Sequence, residues 1–195
     1  VITYLTPQER NEYLDRVTEL RAFGGPWKRG YLRAELDLRT DDWFLDGHFK
    51  NDPCMPGTLM FEGCLNAMAF LMTGMGFTLS RDGWRFQPVQ DEPFRLRCRG
   101  QATPRSRLLV TEIYVEEVIA GPIPTLYADL LCTIDGLKAF HARRVGLQLV
   151  PDWPLRTCGL DLTERHPERV AEVEGFAFDY HALMASAWGR PSEAF

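Results

Sequence analysis

A chain of 195 residues, 45% hydrophobic and 25% charged, has the size and make-up of one globular domain with appendages. Its net charge of -5 argues against a generic nucleic-acid binder, which would carry a basic surface. The five cysteines (Cys54, Cys64, Cys98, Cys132 and Cys158) are odd in number and form no C-x-x-C pair, so neither a disulfide framework nor a zinc site is indicated. That usage points to a reducing, cytoplasmic compartment.

Residues Thr6 to Ala22 read as a helix. Thr6 is the N-cap, Pro7 stands at the first helical position and Glu9 completes a capping box. Gly24-Gly25-Pro26 stops it. Val1 is not an initiator and no basic segment leads an apolar run, so no signal peptide is read and a piece of a longer polypeptide is expected. From Tyr31 to Leu38, Leu32, Ala34, Leu36 and Leu38 alternate with Arg33, Glu35 and Asp37, the pattern of a half-buried strand.

A loop holding His48, Pro53 and Pro56 follows, and then a helix from Gly57 to about Gly74. Apolar residues cover nearly its whole circumference, which predicts a helix buried all round. The apolar stretch Cys64 to Leu79 is too short for a membrane span, which needs roughly 18 or more residues. Four strands are expected after it. Phe94, Leu96, Cys98, Gly100 and Ala102 line one face of the first, opposite Arg95, Arg97 and Arg99. Leu109, Thr111, Ile113 and Val115 mark the second; Leu126, Ala128, Leu130, Cys132 and Ile134 mark the third. Asp135-Gly136 is a two-residue type I′ hairpin turn into a last strand, Leu137 to Val150.

These elements predict an α+β domain, an antiparallel sheet wrapped around a buried central helix. Three segments are expected: a helical leader over 1–23, the sheet-and-helix domain over 24–150, and a tail over 151–195. In the tail, 151–175 is a linker begun by Pro151 and Pro154, and apolar content returns from Phe176.

The chemistry concentrates in Asp46-Gly-His-Phe-Lys-Asn-Asp-Pro-Cys-Met-Pro-Gly-Thr-Leu-Met-Phe-Glu62. His48 is a candidate general base, since a neutral imidazole works near pH 7. Gly57 opens a helix whose free amides and partial positive charge can polarise a carbonyl. Glu62 is an acid in an otherwise apolar helix, and burial there would keep it protonated. Each has a plainer reading: a satisfied polar histidine, a glycine that permits a tight turn, an acid that faces solvent. His48 and Cys54 are too few ligands for a metal site. His141 reads as structural, and His166 and His181 fall in the tail. The chain has no P-loop, G-x-G-x-x-G or G-x-S-x-G motif. Arg95, Arg97 and Arg99 form a solvated face or meet an acidic partner.

The segment GYLRAELDLRTDDWFLDGHFKNDPCMPGTLMFEG resembles the active-site region of the hot-dog-fold 3-hydroxyacyl-carrier-protein dehydratases, above all the 3-hydroxydecanoyl type with its W-F-x-x-H-F-x-x-D-P-x-M-P-G pattern. The likeness runs over about residues 24 to 150. The form GHFKNDPCMPGTLMFEGC looks most like dehydratase domains of polyunsaturated fatty acid synthases and polyketide-type megasynthases, and the tail FAFDYHALMASAWGRPSEAF resembles the start of a following unit in them.

The resemblance implies a (3R)-3-hydroxyacyl-thioester dehydratase that yields trans-2-enoyl thioesters. His48 would take the C2 proton, Glu62 would serve the departing hydroxyl and Gly57 would bind the thioester carbonyl. Cys54, Met60, Phe61, Leu65 and Met68 are candidates to lie along the acyl thioester, while Cys54 also reads as a residue that shapes the loop and most of the helix residues as simple core. Glu62 stands where the 3-hydroxydecanoyl type has aspartate, which puts isomerase activity in doubt. A second hot-dog unit is implied to complete the site. An acyl carrier protein would deliver the substrate on its phosphopantetheine arm, with docking expected at Arg33, Arg95, Arg97 or Arg99. Neither metal, nucleotide cofactor, nucleic acid nor membrane is implied. The rival readings are a non-catalytic half of a pseudo-dimer and a hot-dog thioesterase.

Overall fold

The structure is a computed structural model that describes residues 13–49, 51–81, 83–151, 171–173 and 176–178. The chain divides into two compact units, Val1–Pro151 and Asp152–Phe195. In the second, β8 (Ala171–Val173) and β9 (Phe176–Phe178) pair antiparallel, so a strand lies where the sequence reads as linker. The rest of the tail lies outside the described residues.

The first unit runs β1 (Arg16–Arg21), β2 (Tyr31–Asp37), α1 (Trp43–Gly47), α2 (Gly57–Gly74), β3 (Arg85–Pro88), β4 (Arg95–Cys98), β5 (Leu108–Ile119), β6 (Thr125–Ile134) and β7 (Leu137–Val150). Its seven strands form one antiparallel sheet in the order β1-β2-β5-β6-β7. Both β3 and β4 pair with the outer edge of β7, β4 against Phe140–Arg143 and β3 against Leu147–Val150. The sheet curls around α2, the architecture of the hot-dog fold.

Alternation explains the long strands. Leu32, Ala34 and Leu36 of β2, Leu109, Thr111, Ile113 and Val115 of β5, and Leu126, Ala128, Leu130, Cys132 and Ile134 of β6 are all buried, as their spacing predicts. They meet Met60, Cys64, Ala67, Met68, Leu71 and Met72 of α2 in one core. Each large side chain there stabilises the fold by about 1.5–3 kcal/mol. Cys64 and Cys132 face each other with Sγ–Sγ 3.4 Å; mutual hydrogen bonding and burial hold the Cys64 thiol well above its ordinary range. Asp135 and Gly136 have φ of 50° and 82°, the two positive values of a type I′ turn.

Three expectations are corrected. Residues 16–21 are not helical but form β1, while 6–12 lie outside the described residues. Pairing with β2 overrides the local helix signals, and Arg16 locks the register through Glu35 (2.7 Å) and Asp37 (2.6 Å). The strand expected from Phe94 to Ala102 is only β4, because the amides of Arg99 and Gly100 both donate to the Ala139 carbonyl (2.7 and 3.1 Å) and end the regular ladder. The short α1 and β3 also carry no strong periodic signal and were not expected.

Finally, α2 is not buried all round. Thr58, Glu62, Asn66 and Phe70 are exposed, and their i, i+4 spacing makes them one stripe. A sheet that curls round one side of a helix leaves the other side open. Among the described residues, no helix is long and apolar enough to cross a membrane.

Candidate active site

The loop from α1 to α2 is held at both ends. Phe44 and Leu45 of α1 are buried and anchor its start. Phe49 and Asp52 exchange backbone hydrogen bonds at 3.3 and 3.2 Å, and the Cys54 amide donates to the His48 carbonyl at 2.7 Å. The His48–Phe49 peptide is cis. Met55 is buried, and its amide donates to the Ala102 carbonyl at 2.8 Å, clipping the loop to the β4–β5 connection.

His48 is half-buried, and its Nδ1 lies 3.1 Å from the Cys54 carbonyl oxygen. A carbonyl only accepts, so Nδ1 carries the proton and neutral His48 presents Nε2 as an unprotonated lone pair. The imidazole lies against Phe49 with ring centroids 4.0 Å apart. The Cys54 thiol lies 3.5 Å from the same Nδ1. Burial, and then the charge of Asp52, pushes that thiol up, so Cys54 packs beneath the histidine as a neutral group.

Gly57 follows three residues later. Pro56 is the N-cap of α2 and supplies no side-chain cap. The amides of Leu59 and Met60 both reach back to the Pro56 carbonyl at 3.0 and 3.4 Å. Those of Gly57 and Thr58 have no carbonyl one turn earlier in the helix. Gly57 is exposed, and a Cβ built on it would meet only Cys98 Sγ, at 4.0 Å. Cys98 is an exposed free thiol. It is the residue at this end of α2 that sequence reasoning did not single out. The available signal was its place on the same strand face as Phe94 and Leu96.

Glu62 is exposed in the single chain, the solvent-facing one of the two readings its sequence left open. Its neighbour is Tyr13, whose Cβ and carbonyl lie 3.3 Å from the position of a Cβ on Gly63. Burial, and then the charge of Glu62, raises the Tyr13 hydroxyl above its ordinary value. Five residues along a helix turn the side-chain direction by about 140° and rise about 7.5 Å, so Glu62 faces away from the side on which Gly57 opens.

Of the expected substrate contacts, Met60, Leu65 and Met68 are core residues at 3%, 7% and 0% exposure. Phe61 is half-buried, stacked on Phe94 with centroids 5.4 Å apart and edge-on to Phe140 at 6.1 Å. The arginines at which docking is expected lie apart in the sheet. Arg33 lies on β2, with three strands between it and β4 in the sheet, and is tied to Glu35 and Thr18. Arg95 and Arg97 instead line a cavity of about 80 Å³ with His141 and Arg143. A second cavity, of about 190 Å³, lies among Tyr13, Asp37, Arg39, Asp42, Trp43 and their neighbours. Among the described residues, no group of three or more His, Cys, Asp or Glu side chains is placed to hold a metal.

Three solved structures are similar to this chain at low identity. A hypothetical thioesterase with coenzyme A from Streptococcus pneumoniae TIGR4 is 11% identical, covering 69% of this chain and 83% of its own, with a TM-score of 0.46. The dehydratase heterocomplex ApeI:P from Xenorhabdus doucetiae is 12% identical, covering 67% of this chain and 82% of its own, also at 0.46. A probable thioesterase from Bartonella henselae is 11% identical, covering 63% and 91%, at 0.45. The family model of the FabA-like domain matches residues 6–143. That match takes in the His48 loop, the whole of α2 and the sheet as far as β7, and this chain belongs to the FabA-like domain family.

Proposed function

We propose that the protein is a (3R)-3-hydroxyacyl-thioester dehydratase acting on carrier-bound acyl chains in fatty acid or polyketide synthesis, as in polyunsaturated fatty acid synthases. The observation that carries this reading is the His48–Cys54 bond. It leaves Nε2 as the base in a loop that runs directly into an uncapped helix N-terminus. The thioester carbonyl would accept from the Gly57 amide. Nε2 of His48 would take the proton from C2, and negative charge would build on the carbonyl oxygen, where the helix end stabilises it. The C2 electron pair then forms the double bond to C3. The C3–O bond breaks and a carboxyl at Glu62 gives the leaving oxygen its proton, so that water departs. The chemistry calls on no metal or nucleotide.

Glu62 lies on the open stripe of α2 and faces away from the Gly57 side, which favours a site made of two units. In each, His48 and Gly57 of one unit would be completed by the acid of another, either a second copy or a second hot-dog unit of a parent polypeptide. Cys54 and Phe61 stand closest to the reacting end in this reading, while Met60, Leu65 and Met68 support the helix. Delivery by an acyl carrier protein in a cytoplasmic setting is part of the same proposal.

The test is interconversion of a 3-hydroxyacyl thioester and its trans-2-enoyl product by the full chain, followed by mass spectrometry beside His48→Ala and Glu62→Gln. Conversion lost in both variants supports the proposal. Release of free thiol with no enoyl product would make the protein a thioesterase instead. A chain that is dimeric, folded and inert toward both substrates would leave only a structural role.

A further inference from the structure

Several arginines among the described residues are paired with acids. Arg16 pairs with Glu35 and Asp37, Arg21 with Glu19, Arg33 with Glu35, and Arg144 with Glu116 and Glu117. Among the described residues, Arg95, Arg97 and Arg143 have no acidic partner within salt-bridge distance. They are also set against one another. In the register of β4 on β7, Arg95 stands opposite Arg143 and Arg97 opposite His141. Like charges placed directly across a ladder repel. In a chain of net charge -5, three guanidiniums and an imidazole converging on one cavity do not follow from overall composition.

The register also places the cluster. Leu96 and Cys98 share a face with their partners Ala142 and Phe140, and Phe140 meets Phe61 of α2. Successive side chains alternate, so Arg95, Arg97, His141 and Arg143 occupy the opposite face, turned away from α2 and the His48 loop. The cavity is therefore distinct from the proposed active site. Its volume of about 80 Å³ admits a small anion; pockets for drug-sized ligands run to roughly 300–1,000 Å³. Guanidinium forks match the paired oxygens of phosphate and carboxylate alike. Three of them around one small space favour the more highly charged of the two.

We propose that Arg95, Arg97, His141 and Arg143 form a binding site for a single phosphoryl group on the outer face of the sheet, separate from the catalytic face. The groups facing His141 complete the picture: Arg97 from β4, Lys138 and Arg143 from its own strand, and Asp129 from β6, the one acid acting on it. Asp129 also accepts the Arg144 amide at 3.0 Å, and its single negative charge stands against three guanidiniums.

The experiment uses the full chain with inorganic phosphate as probe at constant ionic strength. Isothermal titration is run beside thermal unfolding, with chloride and acetate as comparison anions. Saturable phosphate binding is expected, weakened at least tenfold in Arg97→Gln and in Arg143→Gln and unchanged in Arg105→Gln, which lies on a turn elsewhere. A parallel arm titrates pantetheine 4′-phosphate in competition. Competition would mark the natural ligand as a phosphate ester, and its absence would mark it as free phosphate; either supports the site. Acetate or chloride acting as strongly as phosphate would overturn the proposal, as would phosphate binding that survives both substitutions.

Discussion

His48 Nδ1 and the Cys54 carbonyl oxygen are 3.1 Å apart, and this one bond decides which imidazole nitrogen can act as a base. The bond is made by backbone, not by the Cys54 side chain. Cys54→Ala should therefore keep most of the dehydratase turnover, within a few-fold, and lose some stability because a buried thiol is deleted. His48→Ala should lower turnover by about 10²–10⁴, the usual worth of a positioned general base. Steady-state rates and thermal unfolding of both variants check this. A Cys54→Ala enzyme as dead as His48→Ala would mean that the thiol, not the carbonyl, sets the histidine.

Gly57 offers a sharper separation of stability from activity. A Cβ there meets nothing nearer than Cys98 Sγ at 4.0 Å, an ordinary contact, so Gly57→Ala should fold with unchanged or slightly higher melting temperature. The new methyl would stand beside the amide proposed to bind the thioester carbonyl. Turnover should fall by roughly tenfold or more, toward the 10²–10³ seen when such a donor is lost. Full activity in this variant would remove Gly57 from the mechanism.

Cys98 should report on the same place. Of the described cysteines, Cys54, Cys64 and Cys132 are buried and Cys98 is exposed. Iodoacetamide should therefore modify Cys98 before those three, and the added group should block the open end of α2. Peptide mass spectrometry gives the site and a parallel assay gives the residual activity. Substrate should protect the thiol, and Cys98→Ser should be active yet insensitive to the reagent. Inactivation that persists in Cys98→Ser would show that another residue is responsible.

His141 gives the chain a pH signature. Burial lowers its affinity for a proton below the ordinary value of 6.5, helped by Arg143, Lys138 and Arg97 and opposed by Asp129. The unfolded chain then holds more protons than the folded one between the lowered value and 6.5. Stability should rise with pH through that window and lose this contribution to the slope above it. Denaturant unfolding at a series of pH values should show the slope in the wild type and a shallower one in His141→Gln. Identical profiles would mean that other groups govern the window.

Much of this protein was legible in its residues. The alternation in β2, β5 and β6 named core positions such as Leu32, Ile113 and Leu130, because a strand with one face in a core places apolar residues every second position. Asp135-Gly136 named its own turn, since both residues tolerate positive φ. The His48 loop and the start of α2 were legible because prolines and a glycine punctuate the chain there. What local pattern did not disclose depended on partners distant in sequence. Residues 16–21 carry helix signals and become a strand because β2 offers an unpaired edge and two acids for Arg16. The helix of Glu62 looks apolar nearly all round when read alone, yet Glu62 is exposed because the sheet covers one side of α2 and leaves the 58–62–66–70 stripe open. Cys98 reaches Gly57, and Arg95 and Arg97 reach Arg143 and His141, only because β4 pairs with the edge of β7 some 45 residues on in this 195-residue chain. Residue type and spacing determined the elements and the candidate chemistry; strand pairing, a long-range contact with no local code, decided which charges and thiols came together.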